Sequence, residues 1–513
     1  MAAPLRHVAV AGIALISANC NVQETFPVGG VAAVGGPGFD AAVRPGFDAS
    51  VGGGTDAGVG GGPVDVGTSV DVGTPVDVGT PVEPPCVLPT GQPVLTTASL
   101  RCSRGRCRVP VGIYGGELRF DPVNIYMLEG PIFIGDGTPQ CVGRLLIGAG
   151  TRIESARGAG SALVAVLPNS TIQADGTAAN PIVFTSGERS PRSGDWGGVI
   201  LSGRAAVNCG GRGTTCVGEA DTGSYGGTDD EDGSGIMRYV RIEYGGGRVN
   251  ATDEVNGLGL QGVGSGTILE YIHVHRTADD GVELLGGTVD IRHLIITGAA
   301  DDSIDWTFGW RGRMQYALVQ QYAGDSDNGI EGDNNGLENE ASPRSYPVIS
   351  HVTLVGSPNS PSSDTGLLLR AGTGAEIRNG VVYGFNGAGL DIDDEETFFY
   401  ALAFGGLTVS DSVLCNPRNF QNDRDEPFSD EVFFTGAQGA LPRNADNEAR
   451  EFPDCGLGLE DALVEGDPSF TPPADSPLRM GGRPLRDPFF DRVSFRGAVE
   501  PGTGQWWTWT RFD

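Results

Sequence analysis

A six-residue pattern recurs seven times along this chain, and it limits the fold more than any other feature. The copies are Met237-Arg-Tyr-Val-Arg-Ile242, Leu269-Glu-Tyr-Ile-His-Val274, Ile291-Arg-His-Leu-Ile-Ile296, Met314-Gln-Tyr-Ala-Leu-Val319, Ile349-Ser-His-Val-Thr-Leu354, Ile377-Arg-Asn-Gly-Val-Val382 and Val409-Ser-Asp-Ser-Val-Leu414. They begin 32, 22, 23, 35, 28 and 32 residues apart. A unit that recurs every ~20 to 50 residues marks a solenoid, in which each coil buries its apolar side against the next. No long stretch has a 3.6-residue apolar period. The 83 glycines and 7% aromatics suit short strands joined by tight turns.

Positions one, four and six of the pattern are mostly apolar. Four and six share one side by the alternation of a strand. Position one reaches the same core only if the chain bends at position three, as it does in wrapping round a triangular coil. The third positions are then predicted to stack as Tyr239, Tyr271, His293, Tyr316, His351, Asn379 and Asp411. Neighbouring strands lie ~4.8 Å apart, which suits ring stacking and side-chain hydrogen-bond ladders.

At 513 residues the chain exceeds one ordinary globular core, but an elongated solenoid need not divide into domains. Residues 20–85 are rich in Gly, Pro, Val and Asp, and Val64-Asp-Val-Gly-Thr recurs near 70 and 76. Such a stretch buries too little apolar surface to offset its ordering entropy, so a disordered tether is predicted. Residues 86–143 hold four cysteines and short runs such as Ile125-Tyr-Met-Leu. They read as a disulfide-stapled N-terminal cap. The coil is expected over 144–460 and a C-terminal cap over 461–513, with insertions near 204–235, 332–345, 357–363 and 394–406.

The start reads as an export signal at 1–19. Arg6 and His7 precede an apolar run from Val8 to Ile16. That run is too short to cross a bilayer, which needs ~20 residues. The following Ser17-Ala-Asn-Cys20 is similar to the end of a bacterial lipoprotein signal, with Cys20 as the lipidated residue. Ser17 and Asn19 depart from that pattern, and cleavage after Ala18 is the alternative. Without Cys20, eight cysteines are left, an even number fit for disulfides in an oxidising compartment. Cys102 with Cys107, Cys209 with Cys216 and Cys415 with Cys455 are candidate local pairs, leaving Cys86 for Cys141, one of the 105 pairings that eight cysteines allow. A zinc site is the alternative, but paired C-x-x-C spacing is absent. The net charge is −31 and all 34 basic residues are Arg. Such a surface repels phosphate backbones, so nucleic acid is not an expected partner.

A second, acidic pattern follows successive copies of the first. It reads Ala278-Asp-Asp-Gly-Val-Glu-Leu284, Ala300-Asp-Asp-Ser-Ile-Asp-Trp306 and Ser326-Asp-Asn-Gly-Ile-Glu-Gly332. Stacked coils align Asp279 with Asp301 and Asp327, Asp280 with Asp302 and Asn328, and Glu283 with Asp305 and Glu331. Gly387-Ala-Gly-Leu-Asp391 keeps the turn and one carboxylate. With Val282, Ile304 and Ile330 inward, Glu283, Asp305 and Glu331 are expected outward as a ladder. Carboxylates ~5 Å apart repel by about 1 kcal/mol in water and about 3 at an effective dielectric of 20. A cation, an Arg neighbour or a shared proton must offset that. Calcium is the natural hard-cation partner, with Asp279, Glu283, Asp301, Asp305, Asp327 and Glu331 as candidate ligands. In the alternative, the first Asp of each pair bonds its own turn's N–H groups and the outward carboxylates are solvated.

The chain resembles right-handed parallel β-helix proteins of the pectin-lyase-like kind. More narrowly, it is similar to a largely uncharacterised group of secreted and surface-anchored bacterial β-helix proteins. The residues that carry this are Asp175-Gly-Thr-Ala-Ala-Asn-Pro-Ile-Val-Phe-Thr-Ser186, Gly194-Asp-Trp-Gly-Gly-Val-Ile-Leu201, Tyr239-Val-Arg-Ile-Glu-Tyr-Gly-Gly246, the Asp-Asp repeats, Ala474-Asp-Ser-Pro-Leu, Phe489-Phe-Asp-Arg-Val-Ser-Phe-Arg-Gly-Ala498 and Trp506-Trp-Thr-Trp. The likeness spans about 144–513 and implies an all-β right-handed parallel β-helix. Hydrolases of this fold use three Asp for inverting hydrolysis, for which Asp280, Asp302 and Asp305 are the candidates. That chemistry needs carboxyls ~6.5 to 9.5 Å apart. The Gly-His-Gly and Arg-Ile-Lys of those hydrolases are absent here. Lyases of the fold bind calcium on carboxylates and use Arg or Lys as base; Arg370 is the candidate.

His273 and His275 are expected as surface polar groups, with metal binding as the alternative. His293 and His351 are expected to be structural. Thr228-Asp-Asp-Glu-Asp-Gly-Ser-Gly235 has calcium-loop composition without EF-hand spacing. Catalytic-triad, phosphate-loop and dinucleotide motifs are absent. Trp196, Trp306, Trp310, Trp506, Trp507 and Trp509 read as packing or cap residues, with sugar stacking as the alternative. The expected function is a non-enzymatic, monomeric lipoprotein of the outer membrane or cell surface. It would present its coil to acidic or neutral polysaccharide or matrix, with calcium as a candidate cofactor and membrane contact through the lipid alone. The alternative is a secreted polysaccharide lyase or glycoside hydrolase.

Overall fold

The computed structural model describes Cys86 and residues 94–209, 215–249, 254–324, 326–421, 429–436, 443–503 and 505–512. The expected signal, Cys20 and the tether at 20–85 lie outside the described residues. Among the described residues, no helix is long and apolar enough to cross a membrane.

The chain winds into a parallel β-helix. One ten-stranded sheet takes one strand per coil, from Gly112–Tyr114 through Leu258–Gln261, Val282–Leu285, Ile304–Thr307, Ile330–Asp333 and Thr365–Arg370 to Ala388–Ile392. An 18-stranded sheet supplies the other two sides, because its long strands bend. The first half of Gly235–Glu243 pairs with Thr171–Asp175 and its second half with Ile182–Thr185.

The bend falls on the third position of the hexapeptide in every copy. Tyr239, Tyr271, His293, Tyr316, His351, Asn379 and Asp411 all have φ between +49 and +64. That conformation costs an ordinary L-residue about 1–2 kcal/mol, and Asn and Asp tolerate it best. The rings recover stacking contacts: Tyr239–Tyr271, Tyr271–His293 and His293–Tyr316 centroids lie 4.3, 4.2 and 4.9 Å apart. The bend turns positions one, four and six to one core, so Leu269, Ile272 and Val274 are buried, as are Ile291, Leu294 and Ile296. Val274 lies opposite Ile296, and Ile296 opposite Val319, so residues distant in sequence are neighbours.

Three expectations need correction. The coil starts well before residue 144. Arg106–Val109 already pairs in parallel with Ile125–Leu128, which pairs with Arg152–Ser155. Val109, Leu128, Ile132 and Ile134 are core residues, so these short apolar runs are coils and not a separate cap. Among the described residues four disulfides form, Cys86–Cys141, Cys102–Cys107, Cys209–Cys216 and Cys415–Cys455.

The segment from 461 does not cover the last coil. Helices α1 (Glu395–Phe404) and α2 (Asp430–Thr435) pack there, with Phe433 and Phe434 in the core and Asp430 accepting from the Ile392 N–H. The C-terminal residues run instead along the outer face of the larger sheet as a strap. Leu459, Phe470, Leu478, Val499 and Trp507 form a second apolar core with Ile295, Leu318, Val381 and Val413. The reason is the fifth position of the hexapeptide. It is outward, yet apolar in these later coils, and needs a cover.

His273 and His275 are not surface groups: both are fully buried. The end of the strap covers His273, with the Trp509 and Phe512 rings 6.4 and 5.9 Å away, while Tyr322, bonded to the Phe512 carbonyl, stands against His275.

Candidate functional site: an acid row on the ten-stranded sheet

The acidic repeats enter the strands Val282–Leu285, Ile304–Thr307 and Ile330–Asp333. Val282, Ile304 and Ile330 are buried and paired in register, so Glu283, Asp305 and Glu331 share the opposite face, one per coil. The register continues to Gly259 on one side and Leu368 on the other. Gly259 lacks a side chain, and the carboxylate of Glu219, from the insertion, occupies that neighbourhood: a Cβ at Gly259 would lie 3.8 Å from Glu219 Oε2. The row thus reads Glu219, Glu283, Asp305, Glu331. The outward carboxylates are half-buried, not freely solvated.

Beside the row, the turns form a second tier. Asp280 and Asp302 are 8% and 6% exposed, which for carboxylates demands partners. Asp280 Oδ1 accepts the N–H of Asp302 (3.0 Å), and Asp302 Oδ1 accepts that of Asn328 (2.8 Å). The first Asp bonds its own turn, as the sequence suggested, since Asp279 accepts from the Asp280 N–H, and in addition the second Asp of each turn bonds the backbone of the next coil. Asp279, Asp301 and Asp327 form the outer edge. Ligand oxygens lie within 4.8 Å of one another in three groups: Asp279, Asp280 and Asp301; Asp280, Glu283 and Asp305; Asp301, Asp302 and Asp327.

So much like charge is offset differently along the row. At one end Arg370 pairs with Glu331 and, at 3.1 Å, with Asp333. At the other end the Glu283 and Glu219 carboxyls hydrogen-bond each other, which requires a shared proton, and Asn256 donates to Glu283 at 2.5 Å. The middle has neither. Asp305 Oδ1 is buried and makes no hydrogen bond. Burial, then the charges of Glu283, Asp302 and Glu331, push Asp305 well above the carboxylate range. Burial also raises Asp280, Asp302 and Glu283, pushes Asp279 up to about 6, and pushes Glu331 up to about 7 against the pull of Arg370.

The family model described as a Pectate-lyase like beta helix domain matches residues 112–447. This chain belongs to that family. No curated protein and no solved structure matches it.

Within this pectate-lyase-like coil, Arg370 is poorly suited to act as a base. Its two carboxylate partners hold the proton on, and its pKa is raised. The acidic loop at 228–235 is stitched by arginine instead of forming a calcium loop: Arg204 pairs with Asp229 and Asp232, and Arg311 with Asp230. Three residues of the site were missed in the sequence: Glu219, Asn256 and Asp333. Asp333 was reachable, two positions past Glu331 on the same strand face. Glu219 and Asn256 come from segments outside the repeat, so no spacing pointed to them. The buried tryptophans serve packing; Trp306 Nε1 donates to Thr373 Oγ1 (3.0 Å) and Trp310 Nε1 to the Val289 carbonyl (3.1 Å).

Proposed function

We propose that this chain is an exported, non-enzymatic β-helix protein that binds acidic polysaccharide through a divalent cation held on the acid row. One observation carries this reading: the unpartnered, buried Oδ1 of Asp305, between two neighbours that are each already neutralised. Asp280, Glu283 and Asp305 offer oxygens within 4.8 Å of one another. An all-oxygen donor set of carboxylates fits calcium, which takes 6–8 oxygen ligands. Asp279, Asp301, Asp327 and Glu331 extend the same donor set outward. A bound cation would invert the local charge and make an anionic glycan a favourable partner.

Two features support binding without cleavage. Arg370 is held protonated by its carboxylates, which a lyase base cannot be. One oxygen each of Asp280, Glu283 and Asp305 lies within 4.8 Å of the others, closer than the ~6.5 Å between carboxyls that an inverting hydrolase needs for its water, which bears on that mechanism alone. A second reading, glycoside hydrolysis, draws support from Glu331: at about 7 it is partly protonated at neutral pH, as a general acid must be. Export, with lipid attachment at Cys20, is supported by the sequence and by four disulfides suited to an oxidising compartment.

The test incubates the full chain with a panel of acidic polysaccharides, with calcium or with chelator. Calcium-dependent retention without new chain ends is the expected result. New reducing ends that vanish in Asp305→Asn would replace this reading with hydrolysis, and 4,5-unsaturated products would replace it with lyase chemistry. Palmitate labelling of wild type against Cys20→Ser tests the anchor separately.

A further inference from the structure

The sequence has five histidines, His7, His273, His275, His293 and His351, and no lysine. The four among the described residues all lie on the outer face of the larger sheet under the C-terminal strap. His273 Nε2 and His275 Nδ1 both bond Thr297 Oγ1, at 3.0 and 2.8 Å, and their ring centres are 5.6 Å apart. The rings of Trp509 and Phe512 cover His273. Tyr322 stands edge-on to His275, and its hydroxyl donates to the Phe512 carbonyl at 3.1 Å. Further along, Trp506 stands 5.0 Å from His293 and Phe495 stands 5.2 Å from His351. The near end of the strap is secured by the Cys415–Cys455 disulfide, so a lifted strap would stay tethered.

We propose that the strap is an acid-released latch: mild acidification charges the histidines beneath it, and residues from about 486 to 512 lift from the sheet while the disulfide holds the near end. A charged His273 under Trp509 and Phe512 would keep as partner only a hydroxyl that it shares with His275, in a fully buried site, an arrangement that burial penalises heavily.

Charged groups face these rings from several elements. Arg241, from the preceding coil, and His275 both oppose a charge on His273; Glu243 is already paired with Arg241 and, at 3.9 Å, with Arg511 of the strap itself. Arg276 lies over the Tyr322 ring that faces His275. Arg292 opposes a charge on His293, while Glu270 and Asp491 favour it. Asp491 also favours a charge on His351, but it is paired with Arg292 at 2.8 Å. Burial is the largest influence on three of these rings: it holds His273 well below the ordinary imidazole range and pushes His293 and His351 down to about 4.

A lifted strap returns these groups to an ordinary value of about 6.5. The uncovered state therefore binds more protons between about 6.5 and 4, and the latch weakens as pH falls through that window. Each histidine multiplies the opening equilibrium by about ten for every pH unit by which burial depresses its pKa. Asp491 stays below the carboxylate range in spite of its burial, through its bonds to Arg292 and Tyr316, so it is still ionised there.

The test is hydrogen exchange of the full chain at pH 7.5, 6 and 5, corrected for the intrinsic pH dependence of exchange. Opening of peptides within 486–512 should rise at least tenfold from pH 7.5 to 5, while the strands that carry position four of the hexapeptide stay protected. The comparison variants are His293→Tyr and His351→Tyr, each placing the residue found on an adjacent coil (Tyr271, Tyr316), and His275→Gln, which matches Gln320. Combined, they should cut the rise severalfold at unchanged protection at pH 7.5. Equal strap protection at pH 7.5 and 5 would overturn the proposal, as would an undiminished rise in the combined variant. If the combined variant loses protection already at pH 7.5, chymotryptic cleavage at Trp506 in wild type decides: the proposal stands if cleavage accelerates at pH 5 and falls if it does not.

Discussion

Asp280 Oδ1 accepts the backbone N–H of Asp302 from the coil above, at 3.0 Å. The same step repeats from Asp302 to Asn328 at 2.8 Å and from Asn328 to Thr365 at 3.2 Å. Side chains thus tie four coils together like treads. The third tread is an amide, so the bond needs an acceptor but not a charge.

That gives a substitution pair with opposite outcomes. Asp302→Asn keeps the acceptor and removes one buried, raised carboxyl from a crowded acid cluster, so stability at pH 7.5 should hold or rise. Asp302→Ala leaves the Asn328 N–H buried without a partner and should cost about 1–3 kcal/mol. Denaturant unfolding of both variants beside wild type measures the difference.

The acid row also sets a pH dependence of definite sign. Asp279 and Glu331 titrate at about 6 and about 7 in the folded chain, above their ordinary values. Groups raised by folding stabilise fully below their unfolded values, and that contribution is lost as pH rises through the folded ones. In chelated protein, opening at Ile304–Thr307, read from exchange corrected for its intrinsic pH dependence, should therefore rise from pH 5 to pH 8, by about tenfold for each pH unit by which folding lifts these carboxyls. Asp305→Asn should blunt the rise. The strap responds in the opposite direction, so region-resolved exchange separates the two.

Much of this architecture was legible because the repeat carries its own geometry. Inward positions repeat by strand alternation, and a bend at position three is the one way to bring position one to the same core. Position three and the acid row followed directly. The strap was also written in the sequence, in Ile295, Leu318, Val381 and Val413 at outward positions, but an apolar outward residue does not name its cover. His273 and His275 were misplaced for the same reason. Glu219 and Asn256 reach the acid row from the insertion and a neighbouring loop, where folding alone decides the meeting. The early coils hid behind their cysteines: disulfides there suggested a separate cap, although Val109, Leu118 and Leu128 already carry core spacing.

Asn379 fastens the strap at Arg483. Its Oδ1 accepts the Arg483 N–H at 2.8 Å, while its Nδ2 donates to the Arg483 carbonyl (3.1 Å) and to Ser350 Oγ (3.0 Å). Asn379 also has φ +57, which Asn adopts more readily than Ala. Asn379→Ala should cost about 2–4 kcal/mol. Asn379→Asp keeps the acceptor but loses both donated bonds and should fall between. Thermal unfolding, with strap proteolysis as a local readout, checks the order.

The Cys415–Cys455 bridge closes a 40-residue separation between the sheet and the start of the strap. Replacing both cysteines by Ser should cost about 4 kcal/mol by loop-closure entropy. It should also let an opened strap depart fully, visible as faster proteolysis from residue 456 onward.

Calcium titration by calorimetry, on chelator-treated full-length wild type and Asp305→Asn at pH 7.5, tests the acid row most directly. Saturable binding to wild type, at least tenfold weaker in Asp305→Asn with its melting temperature unchanged or raised, is the expected result. Wild type that takes up no calcium, or a variant that binds as tightly as wild type, would contradict the account.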